Sequence, residues 1–493
     1  MGIKDIFSSK KSGVEKGPGY MGPEIFLQKT RAHLEPDGKN YEVVCPYCLS
    51  KFHVWDLQFR SASNTDTVEE SGIQRAYPLE EDEKYASFWQ EMNMPVADAM
   101  KPFILQLDDT ENVRAVQLWD SDQWLDMSNR EVRAMVQEQA ICRVKDKFGG
   151  ISKERICPHC HNTLPEVIGR YPNYIFSMIG NTSSGKTVYL QRLKSCLMNN
   201  VLLPQRQMAL QLLSESNLNV AMESKRMFEE TADMKQKLSD ATSVGYMHPV
   251  ILELIRGEEH ILVTLFDFPG EAIWEENRTA FFSTLMQKNG ENTDGWLFML
   301  DSTMLSSVRS CIQSYHEEDL LSVKDKNDPQ QNAEPAYIVS QFTKAYGLGN
   351  RVQCPVAFTL SKSDVIRYFA QKCEASTLSG LTGTEMFMQL DLNNDRDKVD
   401  LDELYQCHSE LKRFLKGDLV LNYTGSCPQH AWFAVSATGV EVRNGILEAK
   451  APACRVVDPL EWLLWMVGAV PGVAFKSKDW ARSLGGMTPG RKA

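Results

Sequence analysis

The chain has no stretch that could cross a bilayer. Its longest apolar run, Leu463–Phe475, is interrupted by Pro471 and falls short of the roughly 20 residues a spanning helix needs. It reads instead as a last helix packed on a sheet. The start, MGIKDIFSSKK, has no apolar signal segment, and Ile6 stands where a myristoylation signal carries Ser or Thr. Basic residues are in deficit. Against 65 Asp and Glu there are 53 Lys and Arg, a formal charge of −12, which disfavours nucleic acid or an anionic membrane as partner. No internal repeat or low-complexity block occurs. These absences predict a cytoplasmic globular protein. Hydrophobic content of 43% and charged content of 24% are ordinary for that class, and 493 residues are too many for one core.

What is present begins at residues 180–187. Gly180-Asn181-Thr182-Ser183-Ser184-Gly185-Lys186-Thr187 follows the apolar run Tyr174–Ile179, and a helix is expected from Lys186. A strand, a glycine turn and a helix N-terminus make a phosphate-binding loop. Backbone N–H groups released by Gly180 and Gly185 face the phosphates, Lys186 reaches the β/γ-phosphates, and the Thr187 hydroxyl ligates Mg²⁺.

Two further apolar runs, Pro249–Ile255 and Ile261–Phe266, are separated by a short polar turn, too short for a helical crossover. They predict an antiparallel hairpin. The second ends in Asp267-Phe268-Pro269-Gly270-Glu271. A carboxylate there suits Mg²⁺ held through water, and Gly270 suits a backbone contact to a γ-phosphate. Another strand, Val356–Leu360, runs into Ser361-Lys362-Ser363-Asp364. This has the shape of a guanine-reading motif: the Asp364 carboxylate accepts from guanine N1 and N2, and the Lys362 stem covers the base. Ser361 replaces the usual Asn. A fourth strand, Ala431–Val435, precedes Ser436-Ala437-Thr438, where the backbone at Ser436 and Ala437 suits guanine O6.

In this order, and with a strand ending at Asp301, residues 171–470 resemble a GTPase of the TRAFAC class, most closely the bacterial double-GTPase family. The resemblance implies a P-loop α/β fold, with a mostly parallel sheet, one antiparallel hairpin and helices on both faces. Leu238-Ser239-Asp240-Ala241-Thr242 stands where that family has Leu-x-x-Ala-Thr. By that resemblance Thr242 is the switch threonine on Mg²⁺ and the attacking water. Glu271 takes the place of a water-orienting Gln, which implies slow intrinsic hydrolysis or help from a partner's arginine. Arg278 is read as a solvated helix residue. The resemblance also suggests a separately encoded protein partner and a conflict or defence setting; an oligomer is left open. An ATP-using P-loop enzyme and a nucleotide-stabilised scaffold with little turnover stay open.

The cysteines form a second pattern. Cys45-Pro46-Tyr47-Cys48 and Cys157-Pro158-His159-Cys160 are two knuckles that together predict a tetrahedral four-cysteine Zn²⁺ site, with His53, His159 and His161 as substitutes. A disulfide scaffold does not fit a chain with a nucleotide site and no secretion signal. Cys196, Cys311, Cys373 and Cys407 read as core or surface thiols.

The expected layout is a flexible segment 1–44, a split zinc ribbon 45–170 around a mainly helical insert 49–156, the nucleotide domain 171–470, and a tail 471–493. Within the insert, helical pattern covers Tyr85–Met92 and Ser128–Val144, with Trp89, Trp119 and Trp124 as core. A helical excursion is expected over 205–240 and a polar loop over 323–335. Asp391–Glu403 begins like an EF-hand loop, but Arg396 sits where Gly is required and Asp402 where the bidentate Glu belongs, so Ca²⁺ is not expected.

Overall fold

Apolar residues on both sides of Asn173–Gly180 make it a strand with two covered faces, and it is buried from Tyr174 to its end. The computed structural model containing it describes residues 42–65, 75–92, 96, 99–119, 121–137, 139–180, 184–198, 209–212, 236–237, 249–256, 259–267, 280–321, 334–347, 352–372, 378, 380–389, 399–444, 446–447 and 451–470. They fall into two units, one within Gln28–Trp296 and one within Leu297–Ala493.

In the first unit, strand β1 (Asn173–Gly180) is joined by β2 (Ala209–Leu212), β3 (Val250–Arg256) and β4 (Glu259–Asp267) in the order β2-β3-β4-β1. β3 and β4 pair antiparallel, Val250 opposite Leu265 and Arg256 opposite Glu259, as their short connection requires. β4 and β1 run parallel, from Asn173↔Leu262 to Met178↔Asp267. β2 departs from the helical expectation for 205–240: it pairs antiparallel with β3, Ala209 opposite Ile255 and Leu212 opposite Leu252. A free edge on an apolar strand competes with local helix preference, and here the edge wins.

The insert also departs from expectation, because its frame is sheet. Trp124–Asp126, Val113–Leu118, Ile141–Asp146 and Ile151–Ser152 form one four-stranded sheet. Thr163–Leu164, Arg155–Ile156, Gln58–Arg60 and Ile104–Leu105 form another. The helix expected over Ser128–Val144 is cut to Arg130–Val136. Beyond it, Ile141, Val144 and Asp146 are buried and Arg143 and Lys145 exposed, close to the two-residue period of a strand. The helix expected near Tyr85–Met92 is present as Glu83–Glu91, capped by Asp82, whose carboxylate accepts from Tyr85 N. Trp89 is buried, whereas Trp119 and Trp124 are half-buried. Trp119 lies under the Arg155 guanidinium, 4.6 Å from its ring centre.

In the second unit, β5 (Gly295–Asp301, which enters from the first), β6 (Val356–Ser361) and β7 (His430–Ala434) follow in that order, all fully buried. β6 and β7 are parallel, Val356 opposite His430. Helix Asp458–Met466 is buried along its whole length and packs on β6. Helix Leu401–Phe414 is opened by Asp400, which accepts from Glu403 N at 3.1 Å. The residues 391–398 of the rejected cation loop lie outside the described set, as do most of the polar loop 323–335 and the segments 1–41 and 471–493. Among the described residues no helix is long and apolar enough to cross a membrane.

Candidate functional site

β1 ends at Gly180, and the described residues resume at Ser184. Ser184 is fully buried, and its hydroxyl has no protein partner. Gly185 holds φ +80°, a region a side chain rarely occupies. Its carbonyl accepts from Tyr189 N at 2.8 Å and opens helix Lys186–Met198. Lys186 Nζ folds back to donate to Gly180 O at 2.8 Å, which brings the ammonium to the end of β1. Asn181, Thr182 and Ser183 lie outside the described residues, as do Thr242, Gly270, Glu271 and Arg278.

The parallel register brings one more expected residue to the loop. Asp267 lies beside Met178, two residues before Gly180, and is buried. Reasoning from the sequence missed Lys194. It is 3% exposed, and burial pushes its ammonium down to about 8 against the opposing pull of the Asp267 charge. The signal was readable: in Leu190-x-x-Leu193-Lys194-x-x-Leu197 the lysine takes a core-facing position of the helix, and all four residues are buried. A lysine, a helix N-terminus and a buried carboxylate thus converge in the first unit. This set can bind a phosphate chain carrying a divalent cation. Thr187 and Asp267 offer hard oxygen donors, which fit Mg²⁺.

In the second unit, β6 delivers Ser361 and Lys362. Ser361 Oγ donates to Leu300 O at 3.1 Å, so its proton is used inside the sheet. Lys362 has φ +55° and pairs with Asp301, the residue that ends β5. Its carbonyl accepts from Ser302 Oγ at 2.9 Å. Asp364 is 4% exposed, and burial pushes its carboxyl up to about 6. Ser436, just after β7, donates its hydroxyl to Asp364 Oδ1 and accepts from Gly439 N at 2.8 Å. Gly439 has φ +75°, and a Cβ there would sit 2.2 Å from Pro452 O. The two parts of the expected base site are therefore joined by the Ser436–Asp364 hydrogen bond and, at their roots, by Ser363 N donating to Val435 O at 3.1 Å, and the loop carrying Ser436 and Ala437 is held tightly from behind. Arg443 anchors its far end on Glu317 and Asp319, each at 2.9 Å.

The cysteines form a cluster in the first unit. The sulfurs of Cys45, Cys48, Cys157 and Cys160 all lie within 4.8 Å of one another, and all four residues are buried. Cys45 Sγ is 3.7 Å from Cys160 Sγ, and Cys48 Sγ is 3.8 Å from Cys157 Sγ. Tetrahedral Zn²⁺ at about 2.3 Å from each thiolate requires sulfurs about 3.8 Å apart, so the donor set fits. The two knuckles repeat one geometry. Leu49 and His161, each following the second cysteine, both have φ +54°. Leu49 N donates to Cys45 O at 3.0 Å and His161 N to Cys157 O at 2.9 Å. Tyr47 N and His159 N each point at a sulfur at 3.4 Å. The histidines are engaged elsewhere: His161 Nδ1 meets Asp82 at 2.8 Å, His53 stacks on Trp55, and His159 lies edge-on to Phe52. Burial pushes the Cys45 and Cys160 thiols up, while hydrogen bonds from the other cysteines pull Cys48 down.

No family model matches the chain, and no curated protein matches it. Solved structures do. A small GTPase, Arl6 (BBS3) of Trypanosoma brucei with a bound nucleotide analogue, is 14% identical over 59% of this chain and 95% of its own, at TM-score 0.21. Era of Aquifex aeolicus, bound to GDP and AlF4, is 14% identical over 59% of this chain and 56% of its own, at TM-score 0.22. The bacterial selenocysteine-specific elongation factor EF-Sec is 13% identical over 54% of this chain and 26% of its own, at TM-score 0.20. With TM-scores this low these likenesses carry no inference, and the functional reading rests on the residues themselves.

Proposed function

We infer that the chain is a Mg²⁺-dependent GTP-binding and GTP-hydrolysing switch carrying a structural zinc module, and that it acts on a protein partner. One observation supports this most: the parallel β1/β4 register sets a buried carboxylate, Asp267, beside the root of a Gly-x-x-x-x-Gly-Lys-Thr turn. On this reading Lys186 and the loop N–H groups hold the phosphates, and Lys186 stabilises the leaving charge. Thr187 and, through water, Asp267 would hold Mg²⁺, which would neutralise charge on the phosphates when bound. Thr242 and Gly270 sense the γ-phosphate and Glu271 orients water. Asp364, Lys362 and the Ser436-Ala437 loop take the base. The separately encoded partner and the defence setting follow from resemblance to the bacterial double-GTPase family alone.

A second reading has its own observation. Ser361 spends its proton on Leu300 O, so base choice rests on Asp364 without help from the first motif position. That favours relaxed selection and ATP use. Phosphate release from GTP and from ATP, measured side by side with Mg²⁺ and a Lys186→Ala control, separates the two. GTP-selective release lost in the control is expected. Equal use of ATP would replace the first reading with the second.

A further inference from the structure

The helix that follows the Asp267–Glu271 segment, Ala280–Asn292, is tied to both zinc knuckles. From its C-terminal half, Lys288 Nζ donates to Ser50 Oγ at 2.7 Å, and Asn292 Nδ2 donates to Leu49 O at 2.8 Å. Ser50 Oγ is 3.3 Å from Cys48 Sγ, and Leu49 is the left-handed residue of that knuckle. From its N-terminal end, Phe281 meets Phe88 edge-on at 5.9 Å, and Phe88 meets Trp89 at 5.1 Å. Trp89 Nε1 donates to Asn162 Oδ1 at 2.9 Å, and Asn162 Nδ2 lies 3.3 Å from Cys160 Sγ. The same helix is anchored to the phosphate-loop strand. Its fully buried Asn289 accepts from Ser177 of β1, and Thr293 Oγ1, just beyond its end, donates to Ile175 O at 3.1 Å.

We propose that Lys288 and Asn292 are positioning residues through which the four-cysteine centre and the phosphate loop are thermodynamically coupled. The proposal rests on the nucleotide-switch reading. A nucleotide seated at the end of β1 holds that strand, and through Ser177 and Ile175 it also holds this helix. A fixed helix presents Lys288 and Asn292 to the first knuckle with less ordering left to do, so the metal binds more tightly. Linkage makes the effect reciprocal: metal at the cysteines tightens nucleotide by the same factor. Lys288 and Asn292 touch neither ligand, so their removal should break the coupling and spare each binding event.

The test uses the full chain. Zinc affinity is measured by competition with a chromogenic chelator, without nucleotide and with a non-hydrolysable GTP analogue, while nucleotide binding is titrated separately. At least about fivefold tighter zinc with the analogue is expected, the lower end of ordinary coupling. In Lys288→Ala/Asn292→Ala that ratio should fall to one, with zinc stoichiometry and nucleotide binding retained. Lys288→Arg, which keeps a donor, should restore part of it. Nucleotide binding with a zinc ratio of one in the unaltered chain refutes the coupling alone. Absence of nucleotide binding refutes the switch reading and this proposal with it. An unchanged ratio in the double variant refutes the role of these two residues.

Discussion

Asp364 should make the nucleotide-free protein less stable than it could be. The carboxyl is buried with one hydroxyl donor, Ser436, and burial raises it from the ordinary 3.8 to about 6. A group that binds its proton more tightly folded than unfolded adds stability below pH 3.8, and that stability is lost as pH rises through 6. At about 1.4 kcal/mol for each pH unit the loss at pH 7 is about 3 kcal/mol. Asp364→Asn keeps the Oδ1 acceptor for Ser436 and never ionises. Without nucleotide the variant should therefore resist denaturant better at pH 7, by up to about 3 kcal/mol, and the gain should vanish near pH 4. The assay is denaturant unfolding across that pH range. Guanine should respond in the opposite sense, because N1 and N2 need the carboxylate. Between pH 7 and pH 5 the affinity for GDP should fall about tenfold, with ATP unaffected. A variant no more stable than the parent at pH 7, with GDP affinity flat across the range, would show that Asp364 is not a buried carboxylate held for a ligand.

Two other outcomes follow from the first unit. Cys157→Ser should lower zinc content from one equivalent toward none. It should also destabilise the knuckles and disturb Trp89, which reaches Cys160 through Asn162, so tryptophan emission should shift along with metal content. Lys194→Met removes a buried cation facing Asp267. Because burial depresses Lys194 to about 8, its charged form costs stability below that pH, so the variant should gain stability at pH 7 and lose the gain above pH 10.5. It should also bind Mg²⁺ more tightly at pH 7 in a direct titration, since a competing positive charge is gone.

The parts of this architecture that show in the sequence are those with local causes. β1 reads as a strand because both its faces are apolar, and the β3–β4 hairpin because so few residues join the runs. The cysteine cluster reads from two matching Cys-Pro-x-Cys turns, although residues 109 apart must meet. Hidden elements depend on distant partners. Ile141–Asp146 is a strand because Val113–Leu118 lies beside it, and two-residue strands such as Arg155–Ile156 are too short for any period to emerge. At the candidate site, Ser361 stands where the usual motif has Asn, and its hydroxyl serves β5. That choice belongs to the Leu300 carbonyl, which no local pattern encodes. Lys194 broke an apolar stripe in plain view, and only the sheet beneath explains why that matters.

The two knuckles also change what the insert is as a piece of chain. A cation joining Cys48 to Cys157 closes a loop of 109 residues. As a covalent link, a ring of that size would remove about 4.7 kcal/mol of chain entropy from the unfolded ensemble. Everything between the knuckles is then a ring hung from one ion. A single backbone cut inside it would leave both fragments in one particle, and a chelator, rather than a reductant, would be what lets them part.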